Sequence, residues 1–224
     1  MIPGTLCDGR LFQRQQRALR GQADVRVIDY HGLRRGRNWA QALLRELPER
    51  FSVVGFSLGG LWALELLRLA PERVERLAMV ASNAQGASAA ARRKGAWLRR
   101  TWQSRGAVTV VARLAPDYFH HPVQLQRHLA LVRAMALQTP ARVAYAQFAW
   151  AAERPSGHEA LARFQGPALI VSGANDRLCP RHMQERMART LPAAQWIELP
   201  RVGHFVPLEA GAVLSDALRR WIAA

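Results

Sequence analysis

The sequence is short of three things, and each shortage excludes a class of protein. Two cysteines, Cys7 and Cys179, stand in 224 residues, too few for a disulfide framework or a cysteine-rich zinc site. No apolar run approaches the ~18 residues that a membrane-spanning helix needs. No charged start followed by an apolar stretch has the form of a signal peptide, so the cytoplasm is the expected compartment. There is one lysine, Lys94, and 31 of the 32 basic residues are therefore arginine. Against 16 acidic residues this gives a net charge of +16, and nucleic acid is the first partner such a charge brings to mind. Yet no block of five or six like charges forms a binding tail, and no nucleic-acid motif is present. The densest clusters are Arg34-Arg35-Gly36-Arg37, Arg92-Arg93-Lys94 and Arg99-Arg100. The arginines are read as residues of solvated faces, set by a coding bias toward Arg and Ala. Half of the residues are hydrophobic, which supports a folded core rather than disorder. The length suits one domain.

Short apolar runs alternate with helical patterns. Strands are expected at Val25–Ile28, Phe51–Val54, Leu77–Val80, Ala168–Val171 and Gln195–Leu199. Helices are expected at Leu11–Leu19, Trp39–Leu47, Leu61–Leu69, His182–Thr190 and Val213–Ile222. This alternation argues for an α/β fold with a mostly parallel sheet flanked by helices. The stretch from Asn83 to Phe164 breaks the rhythm. It has no strand pattern, only helical segments around Gly95–Arg105, Val108–Leu114, Pro122–Leu137 and Pro140–Ala152. A crossover normally needs one helix, so residues 83–164 are read as an inserted helical cap (a lid) and residues 1–82 and 165–224 as the core.

The chemistry centres on Gly55-Phe56-Ser57-Leu58-Gly59-Gly60. This run follows one expected strand and opens a helix, the context in which a serine sits on a tight turn with its hydroxyl exposed at the edge of the sheet. The glycines remove side chains that would collide there, and the helix N-terminus favours developing negative charge. A serine nucleophile needs a base and a group to orient it. His204, in Val202-Gly203-His204-Phe205, follows the last strand. The rival histidines His120, His121, His128 and His158 fall in or near the insertion, His31 follows an earlier strand and His182 starts a helix. Asp176, in Gly173-Ala174-Asn175-Asp176, directly follows a strand, with Asp29 and Asp8 as weaker choices. The order Ser57, Asp176, His204 is that of a nucleophile-elbow hydrolase.

On these residues, together with Ile28-Asp29-Tyr30-His31-Gly32, the chain resembles the α/β-hydrolase fold enzymes with a helical cap, along nearly its whole length. Within that superfamily it is similar to the pimeloyl-carrier-protein methyl ester esterases and the small carboxylesterases around them. The resemblance implies an oxyanion hole made of two backbone N–H groups, those of Leu58 and Thr5. Thr5 lies in Pro3-Gly4-Thr5-Leu6-Cys7-Asp8, where the family commonly has His-Gly; Pro3 departs from that pattern, so the hydrogen bonds supporting the loop must differ. Cys7 is read as a small apolar group lining the site, not as a nucleophile. The family normally has one or two strands before this loop, whereas only Met1-Ile2 precede Pro3. The expectation is that the leading strands are missing because the sequence starts late; the rival is a short sheet with its edge covered by a partner chain.

The expected activity is hydrolysis of a small-molecule carboxylic ester through an acyl-enzyme, with no metal or organic cofactor. Phe56 and, from the insertion, Trp97, Trp102, Tyr118, Phe119, Met135, Phe148 and Trp150 are expected to supply an apolar acyl pocket. A narrower alternative is an esterase for acyl methyl esters on an acidic acyl-carrier protein, met by Arg127, Arg133, Arg142 and Arg154. C–C hydrolases, lactonases, thioesterases and cofactor-free haloperoxidases share the same triad. A basic, non-enzymatic binding protein is the reading from a different class.

Overall fold

The apolar runs in the strand segments determine the architecture. The computed structural model describes residues 1–30, 36–191 and 193–223; His31 and the Arg34-Arg35 pair lie outside the described residues. After a 3-10 turn at Gly9–Phe12 come α1 (Gln13–Ala18), α2 (Gly36–Glu46), β1 (Phe51–Phe56), α3 (Leu58–Leu69) and β2 (Val74–Val80). Four helices follow: α4 (Ala89–Leu114), α5 (Pro122–Gln138), α6 (Ala141–Glu153) and α7 (His158–Arg163). The chain then runs through β3 (Ala168–Gly173), α8 (Arg181–Thr190), β4 (Gln195–Leu199), α9 (Val206–Glu209) and α10 (Gly211–Ala223). The strands form one parallel sheet in the order β1-β2-β3-β4. Parallel neighbours must be joined by crossovers, and those crossovers bring helices onto the sheet faces.

Successive side chains of a strand point to opposite faces. Val53, Leu77, Met79, Ala168 and Ile170 pack with Trp39, Leu43, Trp62 and Leu66 of α2 and α3. Their neighbours Val54, Ala78, Val80, Leu169 and Val171 pack with Leu214, Leu218 and Trp221 of α10 and with residues of α4–α6. Both faces are covered, which is why these strands read as nearly continuous apolar runs rather than as alternating ones.

Two differences from the sequence-based expectation bear on the site. The strand expected at Val25–Ile28 does not form. Among the described residues its backbone hydrogen-bonds to Met1: the Ile28 N–H donates to the Met1 carbonyl (2.9 Å), and the Met1 amino group donates to the Arg26 carbonyl (2.6 Å). Two bonds around a single residue do not make a ladder. Ile2, in turn, bridges to Gly55 in parallel. The second difference is the start of α3, at Leu58 rather than Leu61, because the turn at Ser57 feeds straight into the helix.

Between β2 and β3 the described chain is helical. Gly106 interrupts α4 with φ 74° and ψ 178°, so that element is two helical pieces, matching the separate segments expected over 95–105 and 108–114. Glycine reaches this positive φ at no steric cost. The inserted helices dock through Trp150 of α6, whose ring stacks on Trp62 of α3 with centroids 4.3 Å apart and planes 9° apart. Trp62 also meets Trp39 edge-on at 4.6 Å. Neither the Trp62 nor the Trp150 indole N–H has a hydrogen-bond partner among the described residues, so the stack is held by apolar burial and dispersion. No described helix is long and apolar enough to cross a membrane.

Trp62→Ala and Trp150→Ala should each destabilise the fold by about 3–5 kcal/mol, measured by urea unfolding. The double variant should fall short of the sum by roughly 0.5–1.5 kcal/mol. Strict additivity would show that this stack does not couple the insertion to the core.

Candidate active site

β1 ends at Phe56 and α3 begins at Leu58, which leaves Ser57 alone to turn the chain. It does so at φ 51° and ψ −115°, a region that costs a non-glycine residue on the order of 1–3 kcal/mol. Its backbone is tied down on both sides. The Ser57 N–H donates to the Val80 carbonyl (2.9 Å), and its carbonyl accepts from Ser82 Oγ (2.8 Å) and from the Gly60 N–H (3.0 Å). The turn closes only over glycine. A Cβ on Gly55 would lie 2.5 Å from the Gly59 carbonyl oxygen, and one on Gly59 would lie 1.9 Å from that of Ile2. The Ser57 side chain makes no capping bond to α3, so its hydroxyl is left to other partners.

That partner is His204. Parallel strands put the loops after β1, β3 and β4 at one edge of the sheet, and these loops carry Ser57, Asp176 and His204. His204 Nε2 lies 2.9 Å from Ser57 Oγ, and Nδ1 lies 2.8 Å from Asp176 Oδ2. The other carboxylate oxygen, Oδ1, accepts from the N–H groups of Leu178 (2.8 Å) and Cys179 (2.9 Å). An ionised carboxylate only accepts, so Nδ1 carries the proton of the neutral imidazole and Nε2 presents its lone pair to the serine hydroxyl. The two loops approach closely at Gly173, where a Cβ would sit 2.2 Å from the Gly203 carbonyl oxygen. Asp176 and His204 are both buried.

Burial works to raise the Asp176 carboxyl. The charge and hydrogen bond of His204, with the Cys179 and Leu178 N–H groups, outweigh it and hold the carboxyl below its ordinary value.

The His204 loop is also fastened to the inserted helices, a feature the sequence reading missed. The Tyr118 carbonyl accepts from the N–H groups of His204 (2.9 Å) and Phe205 (3.0 Å). The Glu209 carboxylate bridges the same two segments, accepting from the Gly203 N–H through Oε1 and from the His120 N–H through Oε2, each at 2.9 Å. Burial raises the Glu209 carboxyl, and those two N–H groups oppose the rise.

The loop of Pro3–Asp8 has supports of its own. Tyr30 donates its hydroxyl to the Pro3 carbonyl (2.6 Å), and the Leu6 N–H donates to Gln147 Oε1 of α6 (2.9 Å). Gly4 lies against Phe56 and Ser57, since a Cβ there would be 2.8 Å from the Phe56 ring and 3.4 Å from Ser57 Cβ. Thr5 and Leu58 both border the cavity in front of Ser57. Leu58 is the first residue of α3, where an N–H has no acceptor within its own helix.

That cavity has a volume of about 280 Å³. Of the eight side chains expected to supply the acyl pocket, Phe56, Tyr118 and Phe148 line it. The other five are used elsewhere. Trp102 packs edge-on against Phe148, Phe119 stacks on Phe205 and His128, and Trp150 stacks on Trp62. Met135 is buried in the core, and Trp97 is exposed. Cys7 does not line the cavity either; it is buried, and its thiol donates to the Thr5 carbonyl at 3.4 Å. Asp8 caps the 3-10 turn and pairs with Arg10, and Asp29 is exposed.

Cys179 Sγ lies close enough to Asp176 and His204 for their donor atoms to fall within 4.8 Å of one another. This is a poor set for a metal. Asp176 and His204 are already bonded to each other, and burial pushes the Cys179 thiol up to about 12, whereas a ligand must be the thiolate.

A serine on a strand–helix turn, with an aspartate and a histidine on later loops of the same sheet edge, is the arrangement of the α/β-hydrolase class. The chain belongs to the Alpha/beta hydrolase family, which matches residues 2–217. Among characterised relatives, the pimeloyl-[acyl-carrier protein] methyl ester esterase of Aromatoleum aromaticum is 28% identical over 206 residues, covering 81% of this chain and 79% of that one. Among solved structures, a thermophilic esterase from Thermogutta terrifontis superposes with a TM-score of 0.84 at 23% identity, covering 99% of this chain and 88% of that one. The enol-lactonase of Burkholderia xenovorans LB400 gives 0.83 at 19% identity, with coverages of 100% and 89%. At such identities these two structures speak for the fold.

The depressed Asp176 carboxyl has a consequence for stability. Below the ordinary value of 3.8 the native protein binds fewer protons than the unfolded chain. The contribution of ionised Asp176 is therefore present above that value and is lost as the pH falls below it. Urea unfolding between pH 5 and pH 3 should show a steeper loss of stability for the wild type than for Asp176→Asn. Identical slopes would contradict it.

Proposed function

We propose that the protein is a serine hydrolase of carboxylic esters. The observation that carries this reading is the continuous hydrogen-bonded path from Ser57 Oγ through His204 to Asp176, opening on a cavity with one apolar wall. Ser57 Oγ attacks the ester carbonyl while His204 Nε2 takes its proton. The ionised Asp176 holds the imidazole in the required tautomer and stabilises the imidazolium. The N–H groups of Thr5 and Leu58 receive the negative oxygen of the tetrahedral intermediate, a contribution of about 3 kcal/mol for each donor. The carbon–oxygen bond to the alcohol breaks, and the alcohol leaves with the proton from His204. Water then attacks the acyl-enzyme, losing a proton to His204, and releases the acid and Ser57. The protein's own groups supply every proton transfer in this cycle.

Residues 83–164 act as the lid in this reading. Phe148 and Tyr118 from this segment, with Phe56 beside the nucleophile, form the apolar wall for the acyl group. A cavity of this size suits small and medium acyl groups.

A fluorophosphonate should label the wild-type protein and fail to label Ser57→Ala, and Ser57→Ala should lose at least a thousandfold in kcat for a short p-nitrophenyl ester. Wild-type protein that is neither labelled nor active on such esters would reject this function.

A second reading rests on the relative that is named for a carrier-bound methyl ester. Arg127, Arg133 and Arg142 are all exposed on the insertion, where an acidic carrier protein could meet them. Arg127→Glu with Arg142→Glu should then raise KM for a carrier-bound ester several-fold and leave KM for a free ester alone; equal effects on both would dismiss the carrier.

A further inference from the structure

Arg154 is not with the other insertion arginines. It sits at the C-terminal end of α6 and borders the same cavity as Ser57. Its guanidinium is held by backbone carbonyls, Nε donating to Gln85 (3.0 Å) and Nη1 to Ala151. Nη2 has no hydrogen bond among the described residues, and no described carboxylate pairs with the group. Burial lowers its affinity for the proton, but a guanidinium stays charged at any working pH.

The rest of this wall is also positive. Ala91, Lys94, Gly95 and Leu98 line the cavity at the spacing of one helix face, so the only lysine in the sequence borders the same space. Lys94 forms no ion pair among the described residues either. Ser88, which caps the N-terminus of α4, is another wall residue, and that terminus adds a partial positive charge. Asn83 and Gln85 are the neutral polar residues nearby in the chain. Among the described residues no Asp or Glu lines the cavity. The carbonyls of Gln85 and, at the end of α6, Ala151 satisfy part of the guanidinium, and a half-buried cation gains further when a counter-charge joins it.

We infer that this wall is an anion subsite, in which Arg154, assisted by Lys94, binds a carboxylate carried by the ester substrate. The inference rests on the ester-hydrolase reading and narrows it. The preferred substrates are monoesters of short dicarboxylic acids or acyl esters of short hydroxy acids. In both, an apolar spacer lies along Leu98 and Phe148 between the scissile bond and the charge. Arg154 is thus a specificity residue: it touches the substrate away from the reacting atoms.

The test compares monomethyl adipate and 4-acetoxybutyrate with the neutral methyl hexanoate. Wild-type kcat/KM should favour at least one charged ester by tenfold or more, and which one wins tells whether the charge is on the acyl or the alcohol side. Arg154→Gln should reduce that ratio at least tenfold, Arg154→Lys should retain part of it, and Lys94→Gln should reduce it less. Lys94 is exposed, so its variant reports on the subsite even if Arg154→Gln fails to fold. Calorimetric binding of adipate to Ser57→Ala supplies a readout without catalysis, and it should be lost when Arg154→Gln is added. Turnover of neutral esters with no charge preference, or a preference that all three variants leave intact, overturns the subsite and leaves the hydrolase standing. Arg154-dependent adipate binding in a protein that cleaves no ester has the opposite meaning: the subsite stands and the ester reading falls.

Discussion

The chain changes direction between β1 and α3 at a single residue, and the rest of the site is arranged around that turn. Ser57 adopts a backbone conformation that an L-residue avoids, and three backbone or hydroxyl hydrogen bonds hold it there. The neighbouring elements come so near that only glycine fits at positions 55 and 59. Because the turn is over-determined, the hydroxyl occupies one place relative to the sheet edge, and the loops after β3 and β4 can be matched to it. A flexible serine loop would have to be ordered at each encounter with substrate. This one has that ordering built into the fold.

His204 is held on several sides. Asp176 fixes its ring, the Tyr118 carbonyl fixes its backbone, and Glu209 ties the preceding glycine to His120. Two of these restraints come from the segment between β2 and β3. The Leu6 N–H bond to Gln147 likewise ties the Thr5 loop to α6. The helices between β2 and β3 therefore do more than border the cavity. Their backbone and amide groups help to position His204 and the loop bearing Thr5, so a shift of these helices would be felt at both.

The strands, the helices and the positions of Ser57, Asp176 and His204 could be read from the sequence because each follows from a local pattern. A short apolar run, a glycine-flanked serine and an acid directly after a strand carry their meaning within a few residues. Val25–Ile28 had the right composition but failed as a strand, since a strand also needs a neighbour offering a full row of partners. Gln147, Tyr30, Glu209 and Arg154 were opaque for a related reason: their roles depend on groups distant in the chain. The aromatic residues between β2 and β3 are over-read. Composition announces an apolar lining, but Trp102, Phe119 and Trp150 pack against other rings and Trp97 is exposed, which leaves Tyr118 and Phe148.

The surplus of positive charge looks different once it is divided by position. Most arginines lie at the surface, where a guanidinium is well solvated and its pairs contribute little. Their number therefore says little about chemistry. Desolvation separates Arg154 from them. A charge costs more to hold in a half-buried cavity than on the surface, and the two carbonyls that Arg154 meets offset only part of that cost. Arg154 is a cation that the fold has partly withdrawn from water beside Ser57, with no described carboxylate paired to it. It shares its cavity with Ser57, and in the proposed reaction the anion is therefore part of the ester.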